Sequence, residues 1–254
     1  MAWFNEVFHF DNTTLRIGHC SDCHLFAHPN DEYFNVNTAY NFSRTLAAMA
    51  KESFDAVIFG GDLTQDHSLE SYQLFARLVA ESELACPVFW LPGNHDDIDS
   101  LHCISQGQIK SHKRLAGPFG QVLLLNSKGP TPAGWCETAH LQEVVECGNK
   151  PGIAFVHHHP VPIAGYLDKH ILENGPQLVN CLVDNTQIQA LFHGHVHHEY
   201  QLSLRGFAIF ATPATSIQFA KNTLQWQQQN LGPAFRVIEL SPQSLTTEVK
   251  WLDA

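Results

Sequence analysis

The chain has 254 residues, with 14 Lys and Arg against 25 Asp and Glu, so its formal net charge is −11 at pH 7. This acidic balance, without any basic stripe, argues against a nucleic acid polymer as a partner. A small anionic substrate stays open, because bound divalent ions would dominate the local charge at a metal site. The length suits one large α/β domain covering residues 1–254.

The sequence shows no signal for export or membrane insertion. Residues 1–14 lack the basic and apolar regions of a secretory leader, and no stretch is long and apolar enough to span a bilayer. Seven cysteines, an odd number, favour reduced thiols in such a chain. We therefore expect a cytoplasmic protein with no membrane partner, and the oligomeric state stays open, a dimer included.

The first half of the chain alternates strands with helices. Short apolar runs predict the strands, and apolar residues spaced three and four apart predict the helices. The strands are predicted at 15–20, 56–59 and 87–91, and the helices at 36–50 and around 72–79. Such alternation is typical of a parallel sheet built from βαβ units.

The second half begins in the same way and then changes. Strands are predicted at 122–126, 153–157 and 190–192 with a helix at 178–183, and further strands at 200–204, 207–211, 235–240 and 245–250. No helix separates the last four strands, so antiparallel pairing is expected there, with Arg205-Gly206 as a tight turn. The predicted fold is an α/β, four-layer αββα sandwich of two mixed sheets.

Five polar clusters follow predicted strands, where the carboxyl ends of strands form a common cavity. They read Ser21-Asp22-Cys23-His24, Gly60-Gly61-Asp62, Gly93-Asn94-His95-Asp96, His157-His158-His159-Pro160 and Gly194-His195-Val196-His197. Carboxylate, amide and imidazole groups in this mixture fit two sites for Mn, Fe or Zn type ions. Cys20 and Cys23 form a C-x-x-C pattern, but a structural zinc site would need a second one. We therefore interpret these cysteines as small core and loop residues.

The order and spacing of these clusters resemble the calcineurin-like metallophosphoesterases over residues 21–197. Within that superfamily the chain looks closest to the bacterial class III cyclic nucleotide phosphodiesterases. The closer resemblance rests on the segments 21–26, 61–68, 165–170 and 212–219.

The resemblance implies a ligand set for two divalent ions. Asp22, His24 and His197 would hold one ion, Asn94, His158 and His195 the other, and Asp62 would bridge them. The family's ligand lies two positions before the proline, which selects His158. His157 and His159 are then expected to have structural or supporting roles.

The same resemblance makes His95 the candidate to hydrogen-bond the phosphate or protonate the departing oxygen, with Asp96 to orient it and Asn94 beside the substrate. The ions would supply hydroxide for attack on phosphorus and stabilise the charge that develops. Related phosphatases support this histidine with an Asp three residues after the bridging Asp. This chain has Gln65 there and Asp66 next to it, so the supporting carboxylate stays open.

Substrate choice is expected to depend on the loops at 165–174 and 212–219, with Asp168 and His170 as candidate substrate-binding residues. The favoured hypothesis is hydrolysis of 3′,5′-cyclic AMP to 5′-AMP. Another small diester is the alternative: a glycerophosphodiester, a 2′,3′-cyclic nucleotide or a nucleotide sugar. A catalytically idle metal or nucleotide binder is the third hypothesis. Isolated histidines, such as His19, His67 and His193, are interpreted as core or surface residues.

Overall fold

The computed structural model describes residues 2–254, which contain two large sheets and two small ribbons. The strands of the large sheets are β1 (Val7–His9), β2 (Leu15–Cys20), β5 (Ala56–Phe59), β6 (Val88–Trp90), β7 (Ile109–Lys110), β8 (Arg114–Gly117), β9 (Gly120–Leu124), β10 (Gly152–Val156), β11 (Ile188–His193), β12 (Tyr200–Leu204), β13 (Phe207–Ala211), β16 (Ala234–Leu240) and β17 (Leu245–Trp251). The ribbons pair β3 (Glu32–Tyr33) with β4 (Val36–Asn37) and β14 (Gln218–Phe219) with β15 (Gln228–Gln229).

One large sheet has six strands in the order β17-β16-β2-β5-β6-β7. The strands β2, β5, β6 and β7 run parallel, as the predicted βαβ alternation requires. The last two strands of the chain join this sheet antiparallel, β16 against β2 and β17 against β16. The C-terminal tail therefore completes the sheet that the N-terminal strands begin.

The other large sheet has seven strands in the order β1-β8-β9-β10-β11-β13-β12. Its centre, β9, β10, β11 and β13, is parallel, and β12 pairs antiparallel with β13. The turn between β12 and β13 is the predicted Arg205-Gly206, where both residues have left-handed φ values of 56° and 79°. The prediction of a tight turn here is confirmed.

The two sheets face each other across a buried apolar layer. Alternate residues of each strand point into this layer, such as Ile58 in β5 and Phe155 in β10, while Val57 and Val156 point outward. The outward faces are covered by helices, α1 (Thr38–Met49), α2 (Leu69–Glu81) and α3 (Ile98–Cys103) on one sheet and α4 (Thr138–Cys147) and α5 (Gly175–Asn185) on the other. The predicted four-layer αββα sandwich is confirmed.

Helix α4 is the largest element that the sequence pattern missed. It buries only His140 and Val144, so its apolar stripe is too thin to stand out from the sequence. Helix α3 and the strands β1, β7 and β8 are too short to give a periodic signal. Among residues 2–254, no helix combines the length and apolar character needed to cross a bilayer.

Candidate metal centre

The five clusters meet where the two sheets come together. Each begins within three residues of the carboxyl end of a parallel strand, β2, β5, β6, β10 or β11. Main-chain hydrogen bonds tie neighbouring clusters within a sheet, from Asp22 N to the Gly61 carbonyl (2.9 Å) and from Gly194 N to the His157 carbonyl (3.2 Å). The His195 amide donates to the Asp22 carboxylate at 3.0 Å and joins the two sheets.

Most of the predicted ligands have an unusual backbone conformation. Positive φ values occur at Asp22 (56°), His24 (45°), Asp62 (55°), His195 (67°) and His197 (48°). Side chains other than glycine rarely adopt such values, and each one costs on the order of 1–3 kcal/mol. These residues all belong to the predicted ligand set, so the strain is concentrated where a chemical site would use it.

The first group of donors contains Asp22, His24 and His197. The Nδ1 atom of His24 donates to the Gln65 side-chain oxygen at 2.9 Å, and that of His197 donates to the Ile217 carbonyl at 2.8 Å. In the neutral rings the two Nε2 atoms then carry lone pairs, yet they lie only 3.1 Å apart. A cation is the partner that both lone pairs lack.

The second group contains His157, His158 and His195, all of them buried. The Nε2 atom of His195 donates to the His170 carbonyl (3.1 Å), and Nδ1 of His157 donates to the Gly60 carbonyl (2.8 Å). The remaining nitrogens, Nε2 of His157 and Nδ1 of His195, are 3.2 Å apart, within hydrogen-bonding distance of each other. Burial lowers the pKa of His158 and of His195 well below the usual value, which keeps both rings in the neutral form that binds metals.

Two adjacent histidines, His157 and His158, are candidates for the metal-ligand position near Asp62. Sequence reasoning selected His158 and placed His157 outside the ligand set. The structure brings Nε2 of His157 to 3.3 Å from Oδ2 of Asp62. His158 instead has Ser127 Oγ 2.7 Å from its Nδ1 and the Pro132 carbonyl 3.3 Å from its Nε2. The residue that sequence reasoning set aside therefore faces the predicted bridging carboxylate directly.

The carboxylate of Asp62 lies between the two groups. Its Oδ2 is 3.3 Å from His157 Nε2 and 3.8 Å from His24 Nε2, while its Oδ1 accepts a hydrogen bond from the His95 amide at 2.9 Å. Gly93 is required for this approach, since a Cβ there would lie only 2.1 Å from Asp62 Oδ1. Burial disfavours the charged form of Asp62, but the surrounding imidazoles outweigh it and lower the pKa of the carboxyl.

The environment of Asp62 favours positive charge. Burial opposes protonation of His157, yet the nearby Asp62 carboxylate outweighs it and raises the pKa of His157 to about 9. A buried position that holds a proton this firmly also suits a metal cation. On the other side of Asp62 the two Nε2 lone pairs of His24 and His197 face each other, so a cation is favoured there for a different reason.

Asp96 does not orient the ring of His95, which corrects the predicted role. Its Oδ2 accepts from the amides of Asp62 and Gly93, both at 2.8 Å, and its Oδ1 accepts from the amide of Leu63 at 2.8 Å. Burial and the nearby Asp62 charge raise the pKa of Asp96 to about 6. Asp96 thus acts on the backbone of the loop that carries Asp62.

The side-chain oxygen of Asn94 is available to bind a metal ion. Its Oδ1 is buried and has no hydrogen-bond partner among residues 2–254, and its main-chain carbonyl accepts from Lys128 Nζ at 3.0 Å. An unsatisfied buried amide oxygen costs about 1–3 kcal/mol. A divalent cation would satisfy it, so Asn94 and the two groups around Asp62 together fit two metal ions of mixed oxygen and nitrogen coordination.

His95 borders the cavity beside this centre, and one of its ring nitrogens lies within 4.8 Å of the Asp62 carboxylate. Its Nδ1 has no partner among the described residues, and its ring stacks on His67 at a centroid distance of 5.4 Å. Gln65 holds His24 instead, and Asp66 accepts hydrogen bonds from nearby loop residues. His67, interpreted from sequence as an isolated residue, is therefore the aromatic support of His95.

The cavity next to the centre has a volume of about 290 Å³, at the lower end of the range of roughly 300–1,000 Å³ for small-ligand sites. Its walls contain five predicted ligands, His95 and several further residues, most of them aromatic: His24, Asp62, Asn94, His195 and His197, with Tyr33, Phe34, Pro132, Tyr166, Leu167, His170, Phe219 and Trp226. His170, a candidate substrate-binding residue, is among these lining residues.

Asp168 is not among the residues that line the cavity, which corrects its predicted substrate role. Its carboxylate accepts from His159 Nε2 at 3.2 Å and from the amides of Ile163 and Gly165. Asp168 therefore holds the loop at 165–170 in shape. The aromatic residues Phe34 and Trp226 do border the cavity, and no spacing in the sequence marks them.

The fold and this centre define a metal-dependent phosphoesterase. Solved structures with the same fold include a dimetal phosphatase from Danio rerio (TM-score 0.59, 9% identity, 92% of this chain and 98% of that one). Another is a purple acid phosphatase from yellow lupin (TM-score 0.65, 15% identity, 95% of this chain and 52% of that one).

Comparison with sequence relatives identifies the family of phosphoesterases to which the chain belongs. The calcineurin-like phosphoesterase family model matches residues 15–199. The chain is 52% identical to a probable cyclic nucleotide phosphodiesterase of a Pseudoalteromonas species, with both chains fully covered. It is 33% identical to the 3′,5′-cyclic adenosine monophosphate phosphodiesterase CpdA of Haemophilus influenzae, over 96% of this chain and 92% of that protein. The chain belongs to the calcineurin-like phosphoesterase family, as its motifs indicated, and is a phosphoester hydrolase.

Proposed function

We propose that the protein is a dinuclear metal-dependent phosphodiesterase that hydrolyses 3′,5′-cyclic AMP to 5′-AMP. The observation that carries the proposal is the Asp62 carboxylate between two groups of imidazole and carboxylate donors, next to a small open cavity. The relatives named as cyclic nucleotide phosphodiesterases cover the whole chain or nearly all of it, which supports this choice of substrate.

Asp22, His24 and His197 are proposed to hold one ion, Asn94, His158 and His195 the other, and Asp62 both. Bound divalent ions supply Lewis-acid stabilisation of the phosphate and hydroxide near neutral pH. The type of ion stays within Mn, Fe or Zn.

The protein's own groups orient the reaction. His95 borders the cavity with a ring nitrogen within 4.8 Å of the Asp62 carboxylate, so it is placed to hydrogen-bond a phosphate oxygen or give a proton to the departing ribose oxygen. The stack on His67 fixes the plane of the ring. Asp96 fixes the Asp62 loop through its three amide contacts, so that the carboxylate does not have to reorganise during the reaction.

The test is a panel of substrates given to the Mn²⁺-loaded protein and followed by chromatography. The panel contains 3′,5′-cyclic AMP, 2′,3′-cyclic AMP, glycerophosphocholine, bis-p-nitrophenyl phosphate and p-nitrophenyl phosphate. We expect rapid conversion of 3′,5′-cyclic AMP to 5′-AMP and little cleavage of the monoester. Cleavage of the artificial diester without 3′,5′-cyclic AMP would retain the metal chemistry and reject the proposed substrate.

A matched pair of variants links this activity to the centre. Asn94→Ala removes a proposed ligand and is expected to lower turnover at least about 100-fold, the scale of losing one group that stabilises developing charge. Asn180→Ala changes an exposed amide that contacts Arg205 on the surface and should leave turnover unchanged. Equal rates in the two variants would remove Asn94 from the proposed set.

A further inference from the structure

A row of aromatic rings leads from the metal centre to the surface on one side of the cavity. The ring of Tyr33 stacks on His24 with a centroid distance of 5.0 Å and an interplanar angle of 21°. Phe34 follows at 4.6 Å from Tyr33. This first arm therefore starts on a proposed metal ligand and ends on an exposed side chain.

The second arm consists of Phe219 and Trp226 and begins at His197. Phe219 stacks almost parallel on His197, at 4.4 Å and 10°, and Trp226 lies 6.4 Å from Phe219. His197 belongs to the same donor group as His24. Both arms thus begin at the same proposed ion.

The two arms meet over the mouth of the cavity. The Phe34 and Trp226 rings are 4.4 Å apart at an angle of 35°, and both line the cavity. Phe34 is at the tip of the β3–β4 ribbon, where Phe34 and Asn35 both have left-handed φ values, and Trp226 precedes β15 in the other ribbon. Two separate turns therefore present these rings at one place, and neither turn belongs to the large sheets.

Both rings remain partly exposed to solvent despite their size. Phe34 is 44% exposed and Trp226 is 39% exposed. Leaving large apolar rings in solvent at the rim of a polar cavity brings no gain in folding stability. Flat, uncharged surface is the chemistry that such rings bind well, because every nucleobase has a π-face that stacks on an aromatic side chain.

We propose that Phe34 and Trp226 form the nucleobase subsite, on which the base of a 3′,5′-cyclic nucleotide stacks while its phosphate reaches the metal centre. This inference rests on the proposed function and adds the residues that select a nucleotide over an aliphatic diester. Stacking reads the flat face of a base and not its edge. The subsite should therefore favour purines over abasic substrates without distinguishing adenine from guanine.

The experiment compares KM and kcat for 3′,5′-cyclic AMP and for ribose 3′,5′-cyclic phosphate, which has the same diester but no base. Trp226→Ala and Phe34→Ala are expected to raise KM for 3′,5′-cyclic AMP roughly 5- to 150-fold, the range typical of base–aromatic stacking. KM for the abasic substrate should not change, and Trp226→Phe should restore most of the binding. KM for 3′,5′-cyclic GMP should rise in parallel with that for the adenine nucleotide.

Leu224→Ala is the matched control. Leu224 is 84% exposed in the same loop as Trp226 but does not line the cavity, so its removal should alter neither substrate's KM. An unchanged KM ratio between nucleotide and abasic substrate in Trp226→Ala and Phe34→Ala would overturn the subsite while leaving the proposed function intact. A wild-type protein that cleaves neither cyclic nucleotide would overturn both.

Discussion

The two sheets bring different chemistry to the centre. The loops of the six-stranded sheet carry Asp22, His24, Asp62 and Asn94, which include every carboxylate and amide of the proposed set. The loops of the seven-stranded sheet carry only imidazoles, at positions 157–158, 195 and 197. The centre therefore exists only where the sheets meet, since neither sheet has both kinds of donor in the required number.

The main chain contacts the two kinds of donor differently, through amides for the carboxylates and through carbonyls for the imidazoles. Backbone amides point at the carboxylates, as from His95 to Asp62 and from His195 to Asp22. Backbone carbonyls accept from the imidazoles, as in the bonds from His195 to His170 and from His197 to Ile217. Main chain thus orients Asp62, His195 and His197, whereas the Gln65 side chain orients His24 and the Ser127 hydroxyl contacts His158.

The largest effect is expected from Asp62→Asn, which keeps the shape and removes the charge shared by the two sides. Activity should fall at least about 100-fold, because the group that would neutralise both ions is lost. Hydrolysis of bis-p-nitrophenyl phosphate at saturating Mn²⁺ measures it. The exposed Asp184→Asn variant, which loses only a surface pair with Arg205, is the control. Comparable activity of both variants would break the view that Asp62 joins the two sites.

Asp96→Asn tests how the loop that carries Asp62 is held in the six-stranded sheet. The carboxylate accepts from three amides, whereas an asparagine would turn its NH₂ group toward at least one of them. Metal affinity is expected to fall roughly 10- to 100-fold, as is typical for groups that orient ligands. The neighbouring Asp97→Asn changes only the cap of α3 and should leave metal affinity unchanged. Mn²⁺ titration by calorimetry distinguishes these outcomes.

Ser127→Ala tests how the imidazoles of the seven-stranded sheet are held. It also tests whether His157 or His158 is the metal ligand. The Ser127 hydroxyl is 2.7 Å from His158 Nδ1, so its removal should lower metal affinity on the order of 10-fold if His158 is a ligand. Ser105→Ala removes a similar bond, to Trp90 outside the centre, and serves as the control. An unchanged affinity for Ser127→Ala would instead point to His157, whose Nε2 faces Asp62.

The smallest effect on activity is expected from substitution of Lys113, which joins the two sheets away from the metal centre. Lys113, just before β8, is buried, and its Nζ donates to the Trp90 carbonyl of β6 at 2.7 Å. Burial lowers the pKa of this lysine well below 10.5, so the unfolded chain binds the extra proton more readily. Stability should therefore increase as pH rises toward the unfolded value, by up to about 1.4 kcal/mol per pH unit.

Lys113→Met should remove that dependence while keeping the packing between the sheets. Urea unfolding of both proteins between about pH 7 and pH 9.5 gives the two slopes. A wild-type slope no steeper than that of the variant would contradict the buried, deprotonating lysine. Phosphodiesterase activity of the variant should stay close to that of the wild type, because Lys113 lies outside the cavity.

The sequence predicted the parts of this site that depend on strand ends. Apolar runs located the strands, and a polar residue directly after a parallel strand must lie at the common edge, so Asp22, Asp62 and His195 were placed correctly near one another. Contacts between distant loops were outside its reach. The Phe34–Trp226 pair joins residues 192 positions apart in two short turns, and the side-chain directions of Asp96 and Asp168 depend on loop geometry that no periodicity encodes.

The most direct test of the account is the number of ions that the wild-type chain binds. Protein equilibrated with Mn²⁺, dialysed and analysed by mass spectrometry of the metal should contain two ions per chain, and Asp62→Asn should contain fewer. Two ions per wild-type chain would support a centre assembled jointly by the oxygen donors of one sheet and the imidazoles of the other. One ion or none in a fully folded wild-type protein would contradict it.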